Sequence, residues 1–276
     1  MLPLPDRAQP SAVGKRIRWP QLLDSSHPLI VAPIDDYLIF GPKQGLEVRR
    51  VAIQRLIAAN VDVILTYPGA IERNPDLFCH KPFILNLTAS TVETHHTLKR
   101  IIATCRRAVS LGAMGVAAHV NLCSRWAPQM LRDAGAIVEE AAALGLPCLG
   151  IVYPRAEDGH FDNNFDLLRQ NDPQAYADLV AHCVSVGVDL GFDVIKTQFV
   201  GPPEVFRPVV RAADGVPIVI AGGPRVSDEK LLEMTRAAFT AGVAGISFGR
   251  NLFGRIEAAA LVQQIRQQYH ECQELN

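Results

Sequence analysis

The sequence predicts a single (β/α)8 barrel, a TIM barrel, and three observations carry that expectation. Short runs rich in Val, Ile and Leu alternate eight times with longer stretches whose apolar residues spread around a helical face. The chain has 276 residues, close to the roughly 250 that such a barrel takes, and nothing in its composition divides it into two domains. Polar residues gather where the apolar runs end, the face on which barrels of this kind carry their chemistry.

Residues 1–28 read as a leader and barrel-bottom segment, with 1–13 loose and 14–28 placed to cover the bottom of the barrel, and 29–276 as the barrel itself. The run 29–35 makes the first strand, followed by a helix over 46–60. The second strand, 63–66, closes on Tyr67-Pro68-Gly69, a turn sequence. The third, 83–87, leads through Thr88 to Thr91, the expected cap of a helix running to about Leu111. The fourth strand is 115–121, and the helix 127–144 after it stops at Gly145 with Pro147 beyond. The fifth strand, 148–153, opens into the longest polar loop, 154–171, of the kind that forms lids. A helix over 173–190, a strand around residue 196, a helix over 203–213 and a strand over 217–221 follow. Ser227 caps the next helix with Asp228 and Glu229 in its first turn, and strand 245–248 precedes a final helix from about Gly254.

Lys plus Arg (27) nearly balance Asp plus Glu (28), so no basic field favours nucleic acid, and a small molecule is the expected partner. No apolar run reaches the 18 residues of a membrane span, and residues 1–20 lack the apolar core of a signal peptide. Six cysteines are scattered without a Cys-x-x-Cys pair, which fits reduced thiols in a cytoplasmic protein. No His, Cys, Asp and Glu grouping has metal-ligand spacing, so neither a metal nor another cofactor is expected. Gly41-Pro-Lys-Gln-Gly45 lacks the Gly-Lys-Ser/Thr ending of a phosphate loop and carries no weight.

The stretch Asp193-Val-Ile-Lys-Thr-Gln-Phe-Val-Gly201 places a lysine, Lys196, inside an apolar strand. A buried ammonium is costly unless paired or neutralised, and a neutral amine is a nucleophile for carbonyl carbon. An ordinary lysine is neutral to only roughly one part in a few thousand at pH 7, so a pKa of about 7 to 8 gains two to three orders of magnitude. The structural alternative is an ammonium snorkelling into solvent or paired with Asp193 or Asp189.

The strand ends supply Asp35, Thr66, Asn86, His119 with Asn121, Tyr153, Lys196 with Gln198, Gly222-Gly223 and Gly249-Arg250. Gly222-Gly223-Pro224 and Gly249-Arg250-Asn251 stand after strands seven and eight, where many such barrels hold a phosphate; glycine lets N–H groups approach the oxygens and Arg250 adds a charged donor. Tyr153 suits proton transfer at the oxygen of a breaking carbon–carbon bond, and Asp35 can orient the amine; their structural alternatives are a core tyrosine and an ion-paired carboxylate. Asp36, His119, Asn121 and Gln198 are further substrate-contact candidates, whereas His95 and His96 read as surface residues of a helix.

These residues resemble the class I aldolase family that includes archaeal-type fructose-bisphosphate aldolase, 2-amino-3,7-dideoxyheptulosonate synthase and the autoinducer-2 phosphate thiolase. The likeness runs from Gly14-Lys-Arg-Ile-Arg18 to the last strand and is most specific at Ile195-Lys-Thr197 with Gly201, Val152-Tyr-Pro-Arg155, Val120-Asn121, Ile220-Ala-Gly-Gly-Pro224 and Phe248-Gly-Arg-Asn251. The resemblance implies Lys196 as the Schiff-base lysine, Tyr153 as general acid/base, Asp35 as supporting carboxylate, and Gly222, Gly223, Gly249 and Arg250 around a substrate phosphate. It also implies a homo-oligomer. Relatives have Asp-His-Gly after strand one; here Asp36 and Tyr37 follow Asp35, which puts a second carboxylate and a phenol at the expected mouth and changes which substrate fits.

The resulting expectation is an enzyme that cleaves, forms or transfers a carbon–carbon bond of a phosphorylated ketose or similar keto compound through a lysine Schiff base. The alternatives are a phosphate-binding barrel isomerase or synthase without an imine, and a non-catalytic binder of phosphorylated ligands.

Overall fold

A computed structural model describes residues 13–23, 26–41, 48–93, 95–159 and 161–274. Eight parallel strands close a barrel: β1 (Leu29–Pro33), β2 (Val63–Thr66), β3 (Phe83–Asn86), β4 (Gly115–Asn121), β5 (Cys148–Tyr153), β6 (Val194–Gln198), β7 (Ile218–Ala221) and β8 (Gly245–Ser247). Closure comes from β8 pairing with β1, with Leu29 opposite Gly245 and Val31 opposite Ser247. The (β/α)8 expectation is therefore met, with helices between the strands on the outside.

Side chains along a strand alternate between its two faces, so each strand feeds two cores. Val31, Leu65, Ile84, Ala117, Ile151, Val194 and Val219 fill the barrel interior. Ile30, Ala32, Ile64, Leu85, Val120, Ile195, Ile220 and Ile246 point outward under the helices. Burial on both faces explains why the strands read as continuous apolar runs.

The helix Val13–Leu22 lies at the bottom, where Leu22 and Leu23 join the interior cluster. Lys15 Nζ grips both carboxylate oxygens of Asp193 at 2.9 and 2.7 Å, and Arg18 donates to the carbonyl of Gly145 at 3.1 Å. The expected loose leader, apart from Val13, and most of the Gly41–Gly45 segment lie outside the described residues.

The long helix expected from Thr88–Thr91 to Leu111 is replaced by a small hairpin, Thr88–Ala89 against Arg100–Ile101, and a shorter helix, Cys105–Leu111. Thr88 is not free to cap a helix, because its Oγ1 accepts the backbone N–H of His119 at 2.9 Å and ties the end of β3 to β4. Thr104 is the cap instead, accepting from the N–H of Arg107 at 3.1 Å. The loop after β5 carries a second hairpin, Ala156–Asp158 with Phe161–Asn163, and the helix Asp166–Asn171. A short turn of helix, Arg250–Phe253, precedes the final helix Ala258–Glu274, which therefore starts later than Gly254.

Candidate active site

Lys196 lies on the inward face of β6, level with Ile151 of β5 and Val219 of β7, and is 7% exposed. Of the structural alternatives for Lys196, pairing with Asp193 is absent, because Asp193 sits at the bottom of the strand and is taken by Lys15 and by the N–H of Cys148. No hydrogen bond or ion pair holds the Lys196 amine among the described residues.

Tyr153 ends β5 two residues beyond Ile151, one inward step above Lys196 on the adjacent strand. The Arg155 guanidinium lies 5.5 Å from its ring centre, and the ring of His119 meets it edge-on at 5.0 Å. His119 Nε2 is 3.0 Å from Asn121 Oδ1, while Asn121 Nδ2 donates to the carbonyl of Thr97 at 2.6 Å. That chain makes Nε2–H the donor and leaves Nδ1 as an acceptor. Burial, then the charges of Lys99, Arg155, His96 and Lys196, hold His119 well below the usual histidine range, so it is neutral. Asn121 is fully buried with both ends of its amide engaged by protein groups, and it braces His119. Gln198 accepts the hydroxyl of buried Tyr176 at its Oε1.

Asp35 and Asp36 follow β1. Asp36 is buried, its Oδ2 3.4 Å from Arg250 Nε, and its pKa rises to about 6 through burial and the charge of Asp35, against the opposing pull of Arg250 and Lys196. Arg250 also lies over the Phe40 ring at 5.6 Å. The phenol of Tyr37 does not enter the mouth as expected: its ring packs toward Phe253 at 6.3 Å and under the Arg49 guanidinium at 4.9 Å, outside the barrel wall. Thr66 likewise faces outward, and the next residue, Tyr67, is the inward group at the end of β2, its hydroxyl 3.3 Å from the carbonyl of Thr88.

The glycines after β7 and β8 form one cradle. A Cβ on Gly249 would stand 2.5 Å from the carbonyl oxygen of Pro33, and one on Gly222 would strike Phe248 at 2.7 Å. Gly223 adopts φ +61°, the left-handed region. Asn251 binds the two loops, donating to the carbonyls of Gly222 and Pro224 at 2.9 and 3.0 Å and accepting from the N–H of Val226 at 3.1 Å. The backbone N–H groups of Gly223 and Gly249 have no partner among the described residues.

Several site residues carried no local signal in the sequence. Ser247, inward on β8 beside the cradle, has a buried hydroxyl without a partner among the described residues; its place two residues before Gly249 on an alternating strand was the available clue. Lys99 and His96 were hidden by the mistaken helix. His96 is half-buried above the mouth, its Nε2 3.8 Å from Asp162 Oδ2, while His95 is exposed as expected. No cluster of three or more His, Cys, Asp or Glu among the described residues has the geometry to hold a metal.

An inward lysine beside a tyrosine at the mouth of a parallel barrel, with a glycine cradle across two adjacent strands, is the arrangement expected of an aldolase-class site. Residues 29–255 match the DeoC/LacD family aldolase model, and the chain belongs to that family. It is 31% identical over 245 residues, 88% of this chain and 85% of the relative, to the 2-amino-4,5-dihydroxy-6-oxo-7-(phosphonooxy)heptanoate synthase of Streptomyces griseus. It is 30% identical over 244 residues, 87% of this chain and 85% of the relative, to 2-amino-3,7-dideoxy-D-threo-hept-6-ulosonate synthase 1 of Archaeoglobus fulgidus. The crystal structure of an archaeal fructose 1,6-bisphosphate aldolase superposes with a TM-score of 0.77 at 22% identity, covering 92% of this chain and 98% of that one.

Proposed function

We propose that this aldolase-family enzyme makes or breaks a carbon–carbon bond of a phosphorylated keto compound through a Schiff base on Lys196. The observation that carries the reading is the placement of Lys196: an inward amine at the mouth, without an ion pair among the described residues, one step below Tyr153. The product named for the Streptomyces relative supports it, since a hydroxyl two carbons from a ketone is the pattern an aldol addition leaves, and its phosphate sits next to that ketone.

In the cleavage direction the Lys196 amine attacks the ketone carbon, and the carbonyl oxygen departs as water with protons supplied through Asp35 and Tyr153, leaving a protonated imine. Tyr153 then takes the proton of the hydroxyl two carbons away. The carbon–carbon bond breaks, its electron pair moves into the imine to give an enamine, and an aldehyde leaves. Protonation of the enamine carbon and hydrolysis return the amine; synthesis runs the same steps backwards. Neutral His119 offers Nδ1 to a substrate hydroxyl. The Gly222, Gly223 and Gly249 cradle, with Arg250, receives the phosphate, for which the open N–H groups of Gly223 and Gly249 are suited. Six free cysteines suit a reducing, cytoplasmic setting, and half-exposed Ile101, Ile102 and Val109 suit a subunit contact in a homo-oligomer.

The test is borohydride reduction with a panel of phosphorylated ketoses and aldehydes, read by intact and peptide mass spectrometry. The expected result is one stable adduct on the peptide containing Lys196, absent in Lys196→Ala. If no carbonyl compound labels Lys196 while a phosphate ligand still raises the melting temperature, the imine reading fails and the barrel isomerase replaces it.

A further inference from the structure

A second lysine is buried over the same mouth. The segment between Thr88–Ala89 and Arg100–Ile101 leaves β3, crosses the barrel top and returns. It is fastened to three neighbours: His96 lies 6.2 Å from Phe40 beyond β1, the carbonyl of Thr97 takes the Asn121 amide of β4, and Thr97 Oγ1 donates to Asp162 Oδ1 after β5 at 2.9 Å. On its return arm Lys99 is 3% exposed, with Nζ 2.7 Å from Ser90 Oγ and 3.3 Å from His96 Nδ1.

Lys99 has no carboxylate partner among the described residues. The acid of this cluster, Asp162, is engaged by Thr97 and lies 3.8 Å from His96 and 3.7 Å from Arg155. An amine so enclosed strongly disfavours its charge: burial first, then Arg155, lower its pKa to about 7, against the pull of Asp162 and Asp35. His96 is neutral, lowered to about 3 by burial, Lys99 and Arg155, and so accepts from the amine. The site is thus arranged to take up one negative charge.

Position supplies the direction. The carbonyl of Thr97, two residues before Lys99, holds the Asn121 amide that braces His119, and the His119 ring meets Tyr153 edge-on, so the Lys99 arm is tied directly to the histidine of the mouth. In the closed order of eight strands, β3 and β4 stand across the barrel from β7 and β8. A substrate with its phosphate in the glycine cradle and its carbonyl carbon on β6 therefore extends its other end toward Lys99.

Resting on the aldolase reading, we infer that Lys99, positioned by Ser90 and His96, is the specificity-determining cation for a carboxylate carried by the aldehyde partner of the aldol reaction. With the Arg155 guanidinium answered by Asp162 at 3.7 Å, the Lys99 amine is left to match a single charge; a second phosphate, carrying nearly two charges, would lack its counter-charge.

The test compares 4-oxobutanoate with butanal as aldehydes, dihydroxyacetone phosphate serving as donor, in the wild type and in Lys99→Met, which keeps the stem and removes the charge. The wild type prefers 4-oxobutanoate, and the substitution raises its KM by roughly 10- to 100-fold, the worth of a charge-assisted contact, so that the ratio of the two kcat/KM values collapses toward one. An unchanged ratio, or an equal loss on both aldehydes, overturns the inference. Calorimetric binding of succinate provides a second measurement that does not need the imine: binding that weakens in Lys99→Met supports the subsite, and equal binding in both proteins overturns it. Loss of succinate binding in Lys99→Met alongside a failure of donor trapping on Lys196 would remove the aldol reading and leave the carboxylate subsite standing.

Discussion

Asp36 shows how a single side chain sets the terms of the site. It stands where relatives of the resembling family have a histidine, and it pairs with Arg250, the cation assigned to the substrate phosphate. Its pKa of about 6 lies above the ordinary 3.8, so the folded protein holds this proton more tightly than the unfolded chain. Its contribution to stability is thus fully present below about pH 4 and is lost as pH rises through 6. The difference is worth at most about 3 kcal/mol. Asp36→Asn is expected to raise the melting temperature at pH 7.5, to bring little gain at pH 4, and to lower KM for a phosphorylated ketose by freeing Arg250. A melting temperature that falls equally at both pH values would refute the assignment. At this scale the sequence revealed residues that lie on regular strands, because alternation alone turns Lys196, Tyr153 and His119 inward. It could not reveal the protein partners of a polar group: nothing local in the sequence shows that Asn121 holds Thr97 and His119, or that Gln198 takes the hydroxyl of Tyr176.

The elements explain where legibility stopped. The eight strands were readable because each is buried on both sides and bounded by turn residues. The hairpin over the mouth was not, because Thr88 and Thr91 look like helix caps, and only the tertiary bond from Thr88 to the N–H of His119 decides otherwise. That one misreading concealed both His96 and Lys99. The glycine loops were legible as turns, but which glycine is needed for space and which for backbone freedom depends on the neighbours. Gly249 has an ordinary φ of −93°, yet a Cβ there meets the Pro33 carbonyl at 2.5 Å, and that oxygen belongs to the strand wall. Gly223 has φ +61° and open space around it. Gly249→Ala should therefore destabilise by about 1–3 kcal/mol through overpacking and raise KM for the phosphorylated substrate. Gly223→Ala should cost only about 1–2 kcal/mol of backbone strain. Thermal denaturation and KM of the two variants check this: equal KM effects at both positions would mean that crowding against β1 does not shape the cradle.

Across the whole molecule, stability and chemistry occupy opposite ends of the same strands. Asp193 anchors the bottom of β6 to Lys15, and Lys196 stands three residues further along, about 10 Å at the rise of a strand. Side-chain exposure of the Lys15–Asp193 pair is only 8% and 14%, so removing one partner leaves a buried charge behind. Lys15→Met is expected to destabilise the fold by roughly 3 kcal/mol or more, whereas pairing it with Asp193→Leu should recover part of the loss, limited by the N–H of Cys148, which Asp193 also satisfies. Because the helix Val13–Leu22 touches the barrel only at its lower end, kcat of Lys15→Met measured well below its melting temperature should match the wild type. A drop in kcat under those conditions would show that the bottom helix transmits its position along β6 to Lys196, and the separation of a stabilising floor from a reactive mouth would not hold for this barrel.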